Sequence, residues 1–383
     1  MSHLFPVYSR WDVEPISAEG SQIIDKNGKH YLDFTSGIGV CNLGHRPAKV
    51  QEAVENQLNS FWHVSNLFIQ SKQDEAAKLL ADAAGLELVF FSNSGAEANE
   101  AAIKLARKAT GRNKIITFTN SFHGRTFAAM SATGQEKIQI GFGPLLQTFK
   151  HVPFNDLAVI TEELDEDTAA VMLEIVQGEG GIHLATKEFL HELQILCQSN
   201  GTLLIVDEIQ TGMGRTGKPF AYQHFNLNPD IVTVAKGLGS GFPIGAVIGS
   251  NKLGEAFGPG SHGSTFGGNP ISIAAATVTM QTIFDSGFLK EVTKKADYLR
   301  NSLIELLSDP LVVDVRQLGL MAGIELRKEA APLLAHLREK GLLLLPAGEN
   351  VIRILPPLSA TYEEMDEAMN IVSAVLNEVH AKV

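Results

Sequence analysis

Asp207 follows the apolar run TLLIV at 202–206, and Lys236 follows DIVTVA at 230–235, 29 residues further along. In an open α/β sheet, ligands lie beyond the carboxyl ends of the strands. Both side chains are therefore expected at one edge of neighbouring strands. An acid and an amine so placed suit pyridoxal phosphate. The lysine condenses with its aldehyde, and the aspartate keeps the pyridine nitrogen protonated so that the ring can draw off electrons. The same pair reads equally well as a buried ion pair or a strand-end cap.

A cofactor phosphate needs N–H donors. Residues 92–106, SNSGAEANEAAIKLA, follow the apolar run LVFF at 88–91 and open a stretch of strong helix formers. Free N–H groups and the dipole at such a helix start favour a phosphate, and Gly95 lets it approach. Ser94 and Glu97 also make the S-x-x-E capping box of many ordinary helices, so this segment alone decides nothing. Arginine is the natural fork for a carboxylate. Arg125 stands in SFHGRT at 121–126, where Phe122 offers a flat ring, and Arg353 stands in VIRILPPL at 351–358. Each arginine taken alone reads first as a surface or interface ion pair.

Several near-motifs fail on single residues. Gly212 to Lys218 spells GxxxxGK, but Pro219 replaces the magnesium-binding hydroxyl of a P-loop. His191-Glu192 opens HExxH, yet position 195 is Ile. Gly263 to Gly267 has Thr265 where a GxSxG elbow needs serine. Gly237-Leu238-Gly239 is too short to argue dinucleotide binding. Cys41 and Cys197 form no CxxC pair, which excludes a thiolate metal site or a disulfide scaffold and fits a reducing, cytoplasmic setting. No metal site is expected.

These residues need elements to hold them. Short apolar runs at 88–91, 115–118, 170–176, 202–206, 231–235 and 244–248 read as strands covered on both faces. Between them lie helices such as 186–200, with Thr186 at its start and Gly201 at its end. Strand–helix alternation implies a wound, mostly parallel sheet. From about residue 271 the texture changes to long helices at 271–285 and 288–307, short strands near 312–326 and 351–355, and a last helix from Thr361. The first 45 residues are hairpin-like, with Asn27-Gly28 between apolar runs. The expected organisation is a large α/β domain at 46–270 and a smaller α+β domain built from 1–45 and 271–383.

Composition narrows the partners. Lys and Arg number 31 against 43 Asp and Glu, a formal net charge of −12. That field repels nucleic acid and anionic membrane, while a local pocket can still take a small anion. Neither a signal peptide nor a membrane span is expected. Glycines crowd between Gly212 and Gly268, where backbone must turn tightly or approach a ligand.

Taken together, LDFTSGIGVCNLGH, SNSGAEANEAAIKLAR, SFHGRT, LEIVQGEGG, LLIVDEIQTGMGRTG, VAKGLGSGFPIGA, GSTFGGNP and RILPPL resemble, in order and over nearly the whole chain, the class III aminotransferases of the pyridoxal-phosphate fold type I, in their ornithine/acetylornithine branch. The resemblance implies that fold, with one large and one small domain, and a homodimer with shared active sites. It implies pyridoxal 5′-phosphate bonded to Lys236, with Asp207 on the pyridinium nitrogen and Gln210 near the phenolic oxygen. Ser94, Gly95 and Ala96 would hold the phosphate, and Phe122 would stack on the ring. Thr265 would reach the phosphate of the neighbouring subunit, with Ser264 at the substrate. Arg125 would take a substrate carboxylate, Arg353 the α-carboxylate of glutamate or 2-oxoglutarate, and Glu179 would gate Arg353. The implied reaction is transfer of an amino group from N-acetylornithine to 2-oxoglutarate, giving glutamate, in arginine synthesis. The alternatives are ornithine, 4-aminobutyrate or a succinylated donor, and a binding protein without turnover. Ornithine δ-aminotransferases carry tyrosine where Ile38 stands, and loss of that hydroxyl favours an N-acylated donor. The family's GHxHP reads one residue short at His45-Arg46-Pro47.

Overall fold

The computed structural model describes residues 3–380. Its centre is a seven-stranded sheet. The spatial order is Leu88–Ser92, Gly245–Gly249, Ile231–Val234, Leu203–Asp207, Thr168–Leu173, Lys114–Phe118 and Phe149–Val152. All run one way except Gly245–Gly249, which is antiparallel to both neighbours. Side chains alternate between two cores, as the strand repeat requires. Ile115, Met172 and Ile205 pack with Ala98, Ala101 and Ala102 of the helix Gly95–Thr110. Ile116, Val171 and Val206 pack with Phe189, Leu190 and Leu193 of the helix Lys187–Asn200 on the other face. That second helix has the expected caps: Thr186 accepts the N–H of Phe189, and Gly201 is left-handed.

Two strands differ from expectation. The apolar run 170–176 ends at Leu173, because Glu174 turns a carboxyl into the cavity beyond the sheet, and Val176–Gln177 then pairs with His183–Leu184 in a separate ribbon. The short edge strand Phe149–Val152 (FKHV) has two polar residues between its apolar ends and carried no continuous apolar signal.

The chain ends meet in a second sheet. Pro15–Glu19, Gln22–Asp25 and His30–Asp33 form a meander, and Leu342–Leu343 joins it in parallel. The turn expected at Asn27-Gly28 is present, with Gly28 at φ +79° and Asp25 Oδ1 accepting from Asn27 N and Lys29 N. A third sheet, Val312–Leu318, Met321–Leu326, Val351–Ile354 and Leu345–Ala347, is antiparallel throughout. Around these sheets lie the helices Pro270–Ile283, Ser286–Glu305, Ala331–Glu339 and Tyr362–His380.

One residue ties the three regions. Arg215 is fully buried and has no carboxylate partner among its hydrogen bonds. It donates to the carbonyls of Leu320 and Pro356 and to Asn42 Oδ1, which joins the central sheet's loop to both chain ends. Burial pulls its guanidinium down to about 9. Among the described residues no helix is long and apolar enough to cross a membrane.

Candidate active site

Parallel neighbours bring the first two candidates together. Asp207 ends its strand opposite Thr233, and Lys236 lies three residues beyond Thr233. Both line a cavity of about 440 Å³ beyond the carboxyl edge of the sheet. Ser94, Gly95, Ala96, Phe122, Arg125 and Gln210 line it as well. Its size and mostly apolar wall suit a small-molecule pocket.

Asp207 is held as an acceptor. Asn99 Nδ2 donates to Oδ2 at 2.9 Å, His123 Nδ1 lies 2.8 Å from the same oxygen, and Ile209 N donates to Oδ1 at 3.0 Å. Burial alone would lower the His123 imidazole, but its bond to Asp207 and the charges of Asp207 and Glu174 turn the net shift upward. The contacts from His123 and Asn99 orient the Asp207 carboxylate at the cavity wall.

Lys236 is tuned the other way. Burial lowers its proton affinity, Arg353 adds to that, and Glu179, Asp207 and Glu174 oppose it without reversing it. Its backbone is left-handed at φ +45°, unusual for a residue with a Cβ. Such strain gathers at functional positions. The next residue must be glycine: a Cβ on Gly237 would lie 2.4 Å from Asn42 Nδ2, which is itself bonded to the Met213 carbonyl.

At the other end, the helix Gly95–Thr110 begins. Ser94 Oγ accepts the N–H of Glu97, and the Glu97 carboxylate accepts from Asn93 N and Nδ2 at 2.7 and 2.8 Å. The capping box is thus shifted by one residue. The first N–H groups of a helix have no intrahelical acceptor, so those of Gly95 and Ala96 at the cavity wall can serve an anion. Phe122 faces the cavity, with the Arg125 guanidinium 5.9 Å from its ring centre.

A third group borders this cavity. Arg353, 2% exposed, sits in the strand Val351–Ile354. Its Nη1 donates to Glu179 Oε1 at 2.6 Å, Gln210 Oε1 at 2.8 Å and the Gly178 carbonyl at 3.0 Å. Burial pushes the Glu179 carboxyl up, but the charge and hydrogen bond of Arg353, helped by Lys236 and Gln210, bring it below its usual value. Gln210 is the shared wall between this cluster and the cavity, and its Nε2 approaches Glu179 at 3.4 Å.

Ser264 and Thr265 stand apart. Ser264 Oγ meets Asn93 Nδ2 at 3.2 Å, which brings it to the rim, whereas Thr265 is exposed and outside the cavity lining. Sequence reasoning missed His123, Asn99 and Glu174. Glu174 was findable as the one charge inside the run 170–176, and Asn99 as a polar residue on an alanine-rich buried face. His123 offers no local signal. Among the described residues no cluster of His, Cys, Asp and Glu is placed to hold a metal.

The aminotransferase class-III family model matches residues 8–376. The acetylornithine aminotransferase of Bacillus subtilis strain 168 is 57% identical over 371 residues, covering 97% of this chain and 96% of that one. The N-acetylornithine aminotransferase structure from Stenotrophomonas maltophilia K279a superposes with a TM-score of 0.87 at 35% identity, covering 98% of both chains. An ornithine aminotransferase structure from Toxoplasma gondii, described as having partial pyridoxal phosphate occupancy at its active site, gives 0.95 at 31% identity, covering 99% of this chain and 93% of that one. The chain belongs to the class-III aminotransferases, enzymes that move amino groups between small molecules with pyridoxal phosphate.

Proposed function

We propose that this enzyme transfers the terminal amino group of N-acetylornithine to 2-oxoglutarate, giving N-acetylglutamate semialdehyde and glutamate for arginine synthesis. The observation that carries the reading is the Glu179–Arg353 pair beside the Lys236–Asp207 cavity, a carboxylate site that can be masked. A named acetylornithine aminotransferase at 57% identity supports the choice of donor. Ile38 supports it too, since it offers no hydroxyl to a free α-amino group.

The residues fit the cofactor. A helix start with free N–H groups, a flat ring, an amine and a hydrogen-bonded carboxylate line one cavity. Bound pyridoxal 5′-phosphate supplies an aldehyde carbon that takes up amines and a ring that stabilises charge on the donor carbon. Ser94, Gly95 and Ala96 would hold its phosphate, and Phe122 would stack on the ring. Asp207 would hold a proton at the pyridine nitrogen, with His123 and Asn99 keeping the carboxylate in place. Gln210 would offer its amide to the phenolic oxygen.

Lys236 would hold the cofactor at its aldehyde and, with substrate bound, would have its amine free for proton transfer. Burial lowers its proton affinity, which favours a role for Nζ in taking the proton from the carbon that bears the donor amine. Arg125 binds the α-carboxylate of the donor. Arg353 binds the α-carboxylate of 2-oxoglutarate once Glu179 moves aside. Masking is needed because an unpaired buried guanidinium costs several kcal/mol. The two substrates use one site in turn, so the kinetics are ping-pong.

The smaller domain comprises 1–45 and 271–383, a reading supported by the pairing of Leu342–Leu343 with His30–Asp33. The working enzyme is a cytoplasmic homodimer, with Thr265 of each subunit serving its partner's phosphate. Thr265 is exposed beside the exposed Phe266, and Leu67, Phe68 and Ile69 are consecutive exposed apolar side chains, which supports a partner there. Single-turnover titration of the cofactor-loaded enzyme with N-acetylornithine, ornithine and 4-aminobutyrate tests the donor. N-acetylornithine should bleach the visible band at the lowest concentration. Conversion by 4-aminobutyrate but not by N-acetylornithine would overturn the assignment.

A further inference from the structure

Glu174 is the first residue beyond the strand Thr168–Leu173 and has no part in the scheme above. It is 6% exposed and lines the cavity. Its oxygens serve two backbone N–H groups instead of a cation. Oε2 accepts from Phe122 at 3.0 Å, and Oε1 accepts from Gly178 at 3.4 Å. These two residues belong to different parts of the site. Phe122 is the plate under the ring, while Gly178 precedes Glu179 and gives its carbonyl to Arg353. Gly178 is therefore gripped twice, at its N–H by Glu174 and at its C=O by Arg353. No side chain fits at this position, since a Cβ on Gly178 would lie 2.3 Å from Gln210 Oε1.

We propose that Glu174 is a positioning residue for the gate: by tying the Phe122 segment to the Gly178–Glu179 turn, it holds Glu179 over Arg353 and sets the balance between N-acylated donor and dicarboxylate. This rests on the reaction assigned above. An ionised carboxylate accepts at both oxygens, whereas a neutral acid or an amide presents a donor on one side. Protonation of Glu174, or its replacement by glutamine, therefore turns one contact into donor facing donor. The longer contact, to Gly178, is the weaker and goes first. Glu179 then loses its placement, and Arg353 becomes available to a dicarboxylate.

The change falls in the working pH range. Burial pushes the Glu174 carboxyl up to about 7, against the pull of His123 and with the push of Asp207. Lys236 across the cavity, and Glu179 and Arg353 beyond Gly178, complete the charged groups around it. As pH falls through about 7 the gate should loosen.

The test uses the cofactor-loaded enzyme and glutarate, an unreactive dicarboxylate, titrated by calorimetry. At pH 8, Glu174→Gln should bind glutarate about tenfold more tightly than the wild type, the equivalent of one lost charge-assisted hydrogen bond in the closed gate. Its kcat/KM should fall about tenfold for N-acetylornithine and hold for 2-oxoglutarate. Wild-type glutarate affinity should rise between pH 8 and pH 6. Glu174→Asp, which keeps both acceptors, should retain that slope, and Glu174→Gln should lose it. Equal losses in both half-reactions with unchanged glutarate affinity would reduce Glu174 to a structural role and sink the proposal. A flat wild-type profile would do the same, whether or not Glu174→Gln folds. Failure of the wild type to turn over N-acetylornithine would instead overturn the assigned reaction, and the glutarate titration would still judge the gate.

Discussion

In the proposed reaction Lys236 carries the proton and Arg353 recognises charge, so their substitutions should fail differently. Lys236→Ala removes both the anchor and the base, so glutamate formation should drop by at least about 10⁴-fold, and appreciable residual turnover would refute the mechanism. Arg353→Ala leaves Glu179 facing the cavity wall without its counter-charge. KM for 2-oxoglutarate should rise by about 10²-fold or more, with a smaller change for N-acetylornithine, measured in separate half-reactions. Asp207 and Lys236 were legible because both follow continuous apolar runs at strand ends. His123 was not, because its meaning depends on Asp207, 84 residues away in the chain. Arg125 and Arg353 lay in between: their chemistry could be named, but only the fold shows that one is exposed at the rim and the other buried behind a carboxylate.

The loop following Asp207 is braced by a second buried acid. Glu208 accepts from Thr211 Oγ1 at 2.6 Å and from Tyr222 N at 2.9 Å, holding the turn against the segment Ala221–Phe225. Burial pushes its carboxyl up to about 7. The folded protein therefore holds a proton that the unfolded chain, near 4.5, has released. That contribution is complete below about 4.5 and disappears as pH rises through about 7, an effect of at most about 3 kcal/mol. Glu208→Gln should raise the melting temperature by a few degrees at pH 8 and by less at pH 5, followed by thermal denaturation. A larger gain at pH 5 would contradict the sign. Helix Lys187–Asn200 was readable to its caps, since Thr186 and Gly201 act locally. The reversal of Gly245–Gly249 was not, because an apolar run looks the same in either direction.

Three sheets joined through one buried guanidinium make the substrate end and the cofactor end of the site separate structures. The exposed apolar group at Leu67 (93%) and Ile69 (96%) indicates where a second copy would sit. Sedimentation should give twice the chain mass, and Ile69→Glu should shift it to one chain with loss of turnover and an unchanged circular dichroism spectrum. A fully active single chain would refute shared sites. The charge balance and the two free cysteines were readable as composition, whereas an interface with a second copy leaves no mark there, since no single chain encodes its own neighbour.

The lone reversed strand has a mechanical meaning. From Lys236 the chain runs through a short loop straight into Gly245, which pairs with Ser92 and presses against the Ser94 carbonyl, where a Cβ would lie 2.4 Å away. The distance from the Lys236 amine to the helix start at Ser94 is thus fixed by a short covalent link and one strand pairing inside one sheet. Arg353 hangs from another sheet and is tied to this region only through non-covalent contacts, its hydrogen bonds to Gly178, Glu179 and Gln210. Descendants of such a chain can change which acid they recognise by adjusting the outer sheet, while the chemistry stays calibrated.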